Sequence, residues 1–242
     1  MLNKKLYFNW SSGKDSALAL YQLSKDARFH VDLLVTTINL PQDRISMHGV
    51  RRELLIAQFE SLKFPYRIID LPDALTMETY NSIMRRQIST LREEAFSFAG
   101  FGDILLEDVK AYREHQLKEF NIEAVFPLWK KNTLDVVHQF IDEGFKAIVV
   151  SINSTLLDKS FCGRLLDKSF LEDLPAGVDP CGENGEYHTF CFDGPLFEKP
   201  VNFSIGEKVY KEYKAPKDID EDETNPQEQK IGFWFCDLLP KI

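Results

Sequence analysis

Basic residues are in deficit: 29 Lys and Arg stand against 38 Asp and Glu, a formal net charge of −9. Contacts to phosphates carry most of the affinity of nucleic-acid binders and call for a basic surface, so DNA or tRNA is not expected as the main partner. Long apolar runs are missing as well. None approaches the roughly 20 residues that a membrane-spanning helix needs, and no membrane association is expected. Cysteine is scarce, at positions 162, 181, 191 and 236 with no C-x-x-C pair. That excludes a disulfide scaffold and fits a compartment that keeps thiols reduced. Lys4 and Lys5 lead directly into a strand-like segment, not into the apolar centre of a signal peptide. The expectation is a cytoplasmic protein. What the chain does have is apolar material: 44% hydrophobic residues, 19 of them Phe. That builds a sizeable core and excludes disorder as the dominant state. A length of 242 residues allows one large domain, or a medium one with a smaller companion.

Apolar runs and helical patterns alternate along the first half. Strands are expected at 6–10, 31–38, 65–71, 95–99 and 124–126, and helices at 17–23, 49–62, 76–94 and 107–120. Strict alternation implies an α/β fold with a parallel sheet and right-handed crossovers. Ligands of such sheets sit beyond the carboxyl ends of the strands, where the loop at 11–16 and the glycine-rich turn at 100–103 both fall. After Pro127 the pattern changes: a helix at 133–143, a strand at 146–152, then short strands at 190–192, 201–203, 209–210 and 231–239. A boundary is therefore placed between 126 and 127, giving domains 1–126 and 127–242. The hexapeptide Leu-Leu-Asp-Lys-Ser-Phe occurs twice, at 156–161 and 165–170; two copies make no solenoid, and no function is read into it. The acid-rich stretch 217–230 is expected to be an exposed loop. Phe233, Trp234 and Phe235 are expected in the core, while an aromatic-rich final strand leaves an oligomer open.

The segment Ser11-Ser12-Gly13-Lys14-Asp15-Ser16 follows the first strand and opens a helix. A helix N-terminus offers unpaired N–H groups and partial positive charge to an anion. Gly13 allows close approach and positive φ, the serine hydroxyls add donors, and Lys14 adds charge. Asp15 makes sense beside an anion if it holds a metal, and magnesium with phosphate oxygens suits it. The segment differs from the G-x-x-x-x-G-K-[ST] loop. It resembles the S-G-G-x-D-S loop of the N-type ATP pyrophosphatases, with Ser12 standing where the second residue is usually glycine.

Further segments extend the likeness: His48-Gly49-Val50-Arg51, Gly102-Asp103-Ile104, Pro127-Leu128-Trp129, and above all Gly182-Glu183-Asn184-Gly185-Glu186-Tyr187-His188-Thr189. Together they resemble the diphthine–ammonia ligase family over about residues 5 to 200. The resemblance implies a Rossmann-like (HUP-type) nucleotide-binding fold with a second, smaller α+β domain over its active edge. It also implies ATP and Mg2+ as cofactors, a carboxylate substrate that is adenylated with release of pyrophosphate, and ammonia as the amide donor. On that basis Ser11, Ser12, Gly13, Lys14, Asp15 and Ser16 would hold pyrophosphate, with Asp15 on the metal. His48 and Arg51 would meet ATP or the carboxylate, and Asp103 magnesium or ribose. Lys14, Asp15, Glu183, Glu186 and His188 would be catalytic, the last three taking ammonium or its protons. Cys181 and His188 lack the paired spacing of a zinc site. Arg113 and Trp129 are expected to pack at the domain junction. Two competitors share the loop: a tRNA-thiolating enzyme, disfavoured by the acidic charge, and an ATP-sensing module without chemistry, disfavoured by the polar segment 181–189.

Overall fold

A computed structural model describes residues 4–73, 75–214 and 230–241. Five strands form one sheet: β1 (Lys4–Asn9), β2 (Phe29–Asn39), β3 (Tyr66–Leu71), β4 (Phe98–Gly100) and β5 (Glu123–Val125). Their order is β3-β2-β1-β4-β5, and every pairing is parallel. The helices between them are α1 (Lys14–Lys25), α2 (Arg52–Leu62), α3 (Met77–Glu93) and α4 (Glu107–Lys118). Alternate residues of β1 face opposite cores. Leu6 and Phe8 join the cluster with α1 and α2, and Tyr7 joins the one that includes Ile88 and Leu91 of α3 and Leu117 of α4. A strand buried on both faces reads as a continuous apolar run, which is how Leu6-Tyr7-Phe8 reads. The expected Rossmann-like parallel sheet is present.

The chain then forms α5 (Thr133–Asp142), β6 (Lys146–Asn153), a single 3₁₀ turn, α6 (Lys168–Glu172), β7 (Tyr187–Asp193), β8 (Phe203–Lys214) and β9 (Lys230–Pro240). The four strands make a second, antiparallel sheet in the order β7-β6-β9-β8. Its inner residues, including Val149, Ile152, Phe190 and Leu238, merge with the α1–α2 side of the first sheet into one cluster.

Several expectations change. The fourth strand is three residues long and starts later, because α3 runs to Glu93 and the chain turns through a left-handed Ala95 (φ 71°). Of the short strands expected at 201–203 and 209–210, the first contributes only Phe203, and the second lies inside one twelve-residue β8 that is interrupted by a register shift between Ile205 and Lys208. The acid-rich stretch lies outside the described residues, apart from Lys230, which begins β9. Phe233 and Phe235 do not enter the core. In β9 the buried set is Gly232, Cys236 and Leu238, with half-buried Trp234 packed on the core, whereas Phe233, Phe235 and Asp237 face a cavity. The repeated hexapeptide is one local device used twice. Asp158 accepts from Ser160 N and Asp167 from Phe170 N, each opening a short turn. Phe161 and Phe170 then meet edge to face at 5.6 Å in the core.

Candidate active site

The sheet order reverses between β1 and β4, since β2 lies on one side of β1 and β4 on the other. Such a switch point is where open α/β sheets bind ligands. Residues 11–16 leave β1 there, and the turn after β4 packs directly on them. A Cβ at Gly102 would stand 3.0 Å from Asp15 C and Ser16 N, so any other side chain there would press on the backbone of the first turn of α1.

Loop geometry departs from expectation in one respect. The left-handed residue is Ser12 (φ 72°), and Gly13 is extended (φ −91°) as N-cap of α1. Glycine at 13 is needed for space: a Cβ there would lie 2.8 Å from His48 Cε1 and 3.2 Å from Thr189 O. Ser12 is fully buried and its Oγ has no hydrogen-bond partner. Ser12→Gly therefore removes both a left-handed side chain and an unpaired hydroxyl. We expect a gain of about 1 kcal/mol, or roughly 2–4 °C in melting temperature. Calorimetry checks this, and a lower melting temperature would refute the strain at Ser12. The other hydroxyls bond within the loop. Ser11 Oγ donates to Ser16 Oγ (3.1 Å), and Ser16 Oγ donates to Gly13 O (3.0 Å).

The second sheet closes over this loop through β7. Cys191 N donates to Ser12 O (2.8 Å), and Lys14 N donates to Thr189 Oγ1 (3.0 Å). Gln58, buried in α2, ties the parts together. It accepts from Trp10 Nε1 (3.0 Å) and donates to Ser12 O (3.1 Å) and Cys191 O (2.6 Å). Neither Gln58 nor Thr189 is among the site residues expected from sequence. The available signal was a lone amide on the apolar stripe of α2, beside Leu54, Leu55, Phe59 and Leu62.

Lys14 is not a free phosphate-binding cation. It is 4% exposed, and its ammonium lies 2.8 Å from Asp15 Oδ2, donates to Cys181 O, and sits 5.3 Å from the centre of the Tyr187 ring. Burial is the largest single influence and opposes its charge, but Asp15, Tyr187 and Cys181 together outweigh it and hold the ammonium protonated. Asp15 Oδ1, by contrast, is buried and unpartnered.

His48 is brought onto the loop. Its Nδ1 lies 3.0 Å from Thr189 O, so the ring donates there, and it stacks on His188 with ring centres 4.9 Å apart. Burial presses His48 down to about 4 and His188 to about 3. Both rings are neutral at pH 7, and His188 is too weak a base for the proton-accepting role expected of it. Arg51 is also displaced from its expected role. It forks onto Asp237 of β9 at 3.0 and 2.7 Å, and Arg44 joins the same carboxylate at 2.8 Å. Asp103 pairs with Arg113 (2.8 Å) at the sheet edge, and Arg113 lies 4.4 Å from the Phe101 ring. Arg113 thus packs within the first sheet, not at a junction. Trp129 lies against Phe126, Lys110 and Lys130.

The two glutamates of the 182–189 segment separate. Glu186 is 2% exposed and spends its carboxylate on its own loop, accepting from Asp179 N (3.0 Å), Asn184 N (2.8 Å) and Asn184 Nδ2 (3.0 Å). Its geometry is that of a loop organiser. Glu183 reaches across to the turn after β4, where Oε2 accepts from Leu105 N at 3.2 Å. Burial, then the Asp15 charge, push its carboxyl up to about 7. Because the folded-state value lies above the unfolded one, the folded protein binds the extra proton, and stability falls as pH rises from about 4.5 through 7. In chelator-treated protein, wild type should lose about 1–2 kcal/mol relative to Glu183→Gln between pH 5 and 8. Urea melts at the two pH values test this, and parallel behaviour of the two proteins would contradict a raised Glu183.

Residues 4–124 match the profile of the diphthamide synthase N-terminal domain, and residues 132–223 that of the diphthamide synthase C-terminal domain. The chain belongs to the diphthamide synthase family. Among curated relatives of this family member, the diphthine–ammonia ligase of Mus musculus is 30% identical over 125 residues, 48% of this chain and 46% of the relative. The Homo sapiens protein of the same name is 32% identical over 111 residues, 43% of this chain and 42% of the relative. The Schizosaccharomyces pombe protein is 29% identical over 126 residues, 47% of this chain and 21% of the relative. These alignments span less than half the length of each relative. Among solved structures, the U34-tRNA thiolase NcsA from Methanococcus maripaludis superposes with a TM-score of 0.38 at 17% identity, over 58% of this chain and 57% of that one. In this member of the family no described helix is long and apolar enough to cross a membrane. No group of three or more His, Cys, Asp or Glu among the described residues forms a ready-made metal cage.

Proposed function

We propose that this protein cleaves ATP to AMP and pyrophosphate, adenylates a substrate carboxylate, and joins it to ammonia as an amide. Diphthine is the acceptor that the relatives' name suggests. The observation that carries the reading is the loop at the switch point. The first turn of α1 presents N–H groups that have no intrahelical acceptor, and beside them Asp15 Oδ1 is buried with nothing to bond.

That orphaned oxygen fits magnesium, which binds proteins through one or two carboxylates and takes the rest of its shell from phosphates and water. When bound there, the ion would neutralise phosphate charge. In the first step a carboxylate oxygen of the acceptor attacks the α-phosphorus. The bond to the bridging oxygen breaks, and pyrophosphate departs toward the α1 N-terminus, whose dipole favours it. In the second step ammonia attacks the acyl carbon, AMP leaves, and the nitrogen gives up one proton. Glu183, with its carboxyl near 7 and close enough to Asp15 to feel its charge, suits that acceptor role. Lys14 and Glu186 act as positioning residues, holding the loop and the 179–186 segment. An ATP sensor would have no use for a raised carboxyl at the phosphate loop. A persulfide-carrying thiolase would need a reachable thiol, whereas all four cysteines are buried.

The test pairs binding with product analysis. Mg-ATP at a hundred times its dissociation constant should stabilise the protein by about 2.7 kcal/mol, roughly 5–10 °C in melting temperature. AMP with pyrophosphate should do likewise. ATP consumed with a competent acceptor should yield AMP and pyrophosphate. Formation of ADP and phosphate would overturn the α–β cleavage, and no stabilisation by any nucleotide would overturn the site.

A further inference from the structure

Of the four buried cysteines, Cys162 and Cys236 meet each other. Cys162 follows the 3₁₀ turn Lys159–Phe161, and Cys236 lies in β9. Their thiols are in hydrogen-bond contact. Further contacts fix the placement. Cys162 Sγ lies 3.6 Å from Trp234 O and 4.0 Å from Val150 O, over the ladder in which β6 and β9 pair Ser151 with Phe235. A Cβ at Gly163, the next residue, would stand 3.2 Å from Cys236 Sγ. Gly163 also takes a left-handed step (φ 84°), so glycine lets the turn settle onto that sulfur.

The surroundings make the two sulfurs unequal. Lys208 of β8 pairs directly with Cys236 across the ladder, and the same Cβ position at Gly163 lies 3.8 Å from Lys208 Nζ. The contact with Cys162 is the largest influence on the Cys236 thiol and lowers it from its ordinary value. Lys208 adds to that, while burial and the Asp237 charge oppose it. The same contact raises Cys162. A sulfur poised as thiolate beside one that keeps its proton is the arrangement of an attacking and a resolving cysteine. Cys181 and Cys191 instead lie against backbone carbonyls of Thr133 and Asp193, and burial pushes both thiols up, which makes them inert. Cys236 is 4% exposed and closed to a macromolecule, but it borders a cavity of about 930 Å³ between β8, β9 and the segment after β2. A hydroperoxide is small enough to enter there.

We propose that Cys162 and Cys236 are a modification site, a thiol pair that a hydroperoxide oxidises reversibly to a disulfide joining the turn after β6 to β9. The Cys236 thiolate attacks the peroxide, the O–O bond breaks, and a sulfenic acid forms with release of water once the departing hydroxide takes a proton. Cys162 sulfur then attacks Cys236 sulfur. The S–S bond forms, the S–O bond breaks, and the hydroxide leaves with the Cys162 proton as a second water. Both sulfurs are oxidised and the peroxide is reduced. A dithiol reverses the change and becomes a disulfide itself. The site does not depend on the ATP reading, and a reversible pair suits a compartment that otherwise keeps thiols reduced.

The test exposes the full chain to hydrogen peroxide in native buffer, alkylates the remaining thiols in denaturant, and maps tryptic peptides without reduction. Free thiols should fall from four to two, with peptides 160–164 and 231–241 joined. Dithiothreitol should restore all four. The oxidised protein should melt roughly 5–10 °C higher, because the bond closes a long loop. Cys162→Ala should lose that shift and leave a sulfenic acid at Cys236 that dimedone traps. Four free thiols after peroxide would overturn the proposal, as would a bond to Cys181, Cys191 or a second chain, or a sulfenic acid at Cys236 that persists in wild type.

Discussion

Lys14→Met is expected to destabilise the protein by about 3 kcal/mol or more, a drop of roughly 6–12 °C in melting temperature. Methionine keeps the length of the stem and removes the ammonium. Asp15 Oδ2 then loses its partner, the Cys181 carbonyl loses its donor, and the Tyr187 ring loses the cation above it. Removing one member of a buried pair costs far more than replacing both, because the survivor keeps its desolvation penalty. Adding Asp15→Asn should therefore recover part of the loss, a coupling that a double-mutant cycle in urea measures directly. A loss under about 1 kcal/mol would mean that the ammonium is not held on Asp15 in solution. The same experiment separates two roles for Lys14. A pure phosphate ligand would lower ATP affinity and leave the melting temperature of the protein alone.

Asp15→Asn is expected to lower ATP cleavage by at least about a thousandfold, the scale of losing a group that stabilises transition-state charge. The amide oxygen can still accept from Lys14, so the fold should survive better than in Lys14→Met. What goes is the negative charge on the buried, unpartnered Oδ1. Steady-state release of pyrophosphate with varied magnesium reads the effect. Unchanged turnover would remove Asp15 from the metal and return the loop to a plain helix cap.

Much of the architecture could be read directly. The alternation of apolar runs with helical patterns announced a parallel sheet because a strand buried on both faces must be apolar throughout. The loop at 11–16 was legible because its residues act locally, through a helix N-terminus that any chain of this pattern would present. Elements failed where distant partners decide. The short run near 210 lengthens into β8, from Phe203 to Lys214, because β9 pairs along it. Phe233 and Phe235 look like core by alternation, but period two says only that they share a face. Which face is covered depends on what packs there, and at β9 the covered face belongs to Trp234, Cys236 and Leu238.

The candidate site divides in the same way. Composition, charge and the 11–16 segment by themselves determined an acidic α/β protein with an anion site opening α1, because those properties come from residue type and from contacts a few positions apart. Only the tertiary structure decided how the charges are assigned, because that depends on contacts between residues 78 to 186 positions apart. Lys14 meets Cys181, Arg51 meets Asp237, and Glu183 reaches Leu105 across 78 positions. A carboxylate becomes an acid near neutral pH, a clamp or a loop organiser according to which partners and how little water surround it. For Glu183 and Glu186, three residues apart in one segment, packing settles that question in opposite ways.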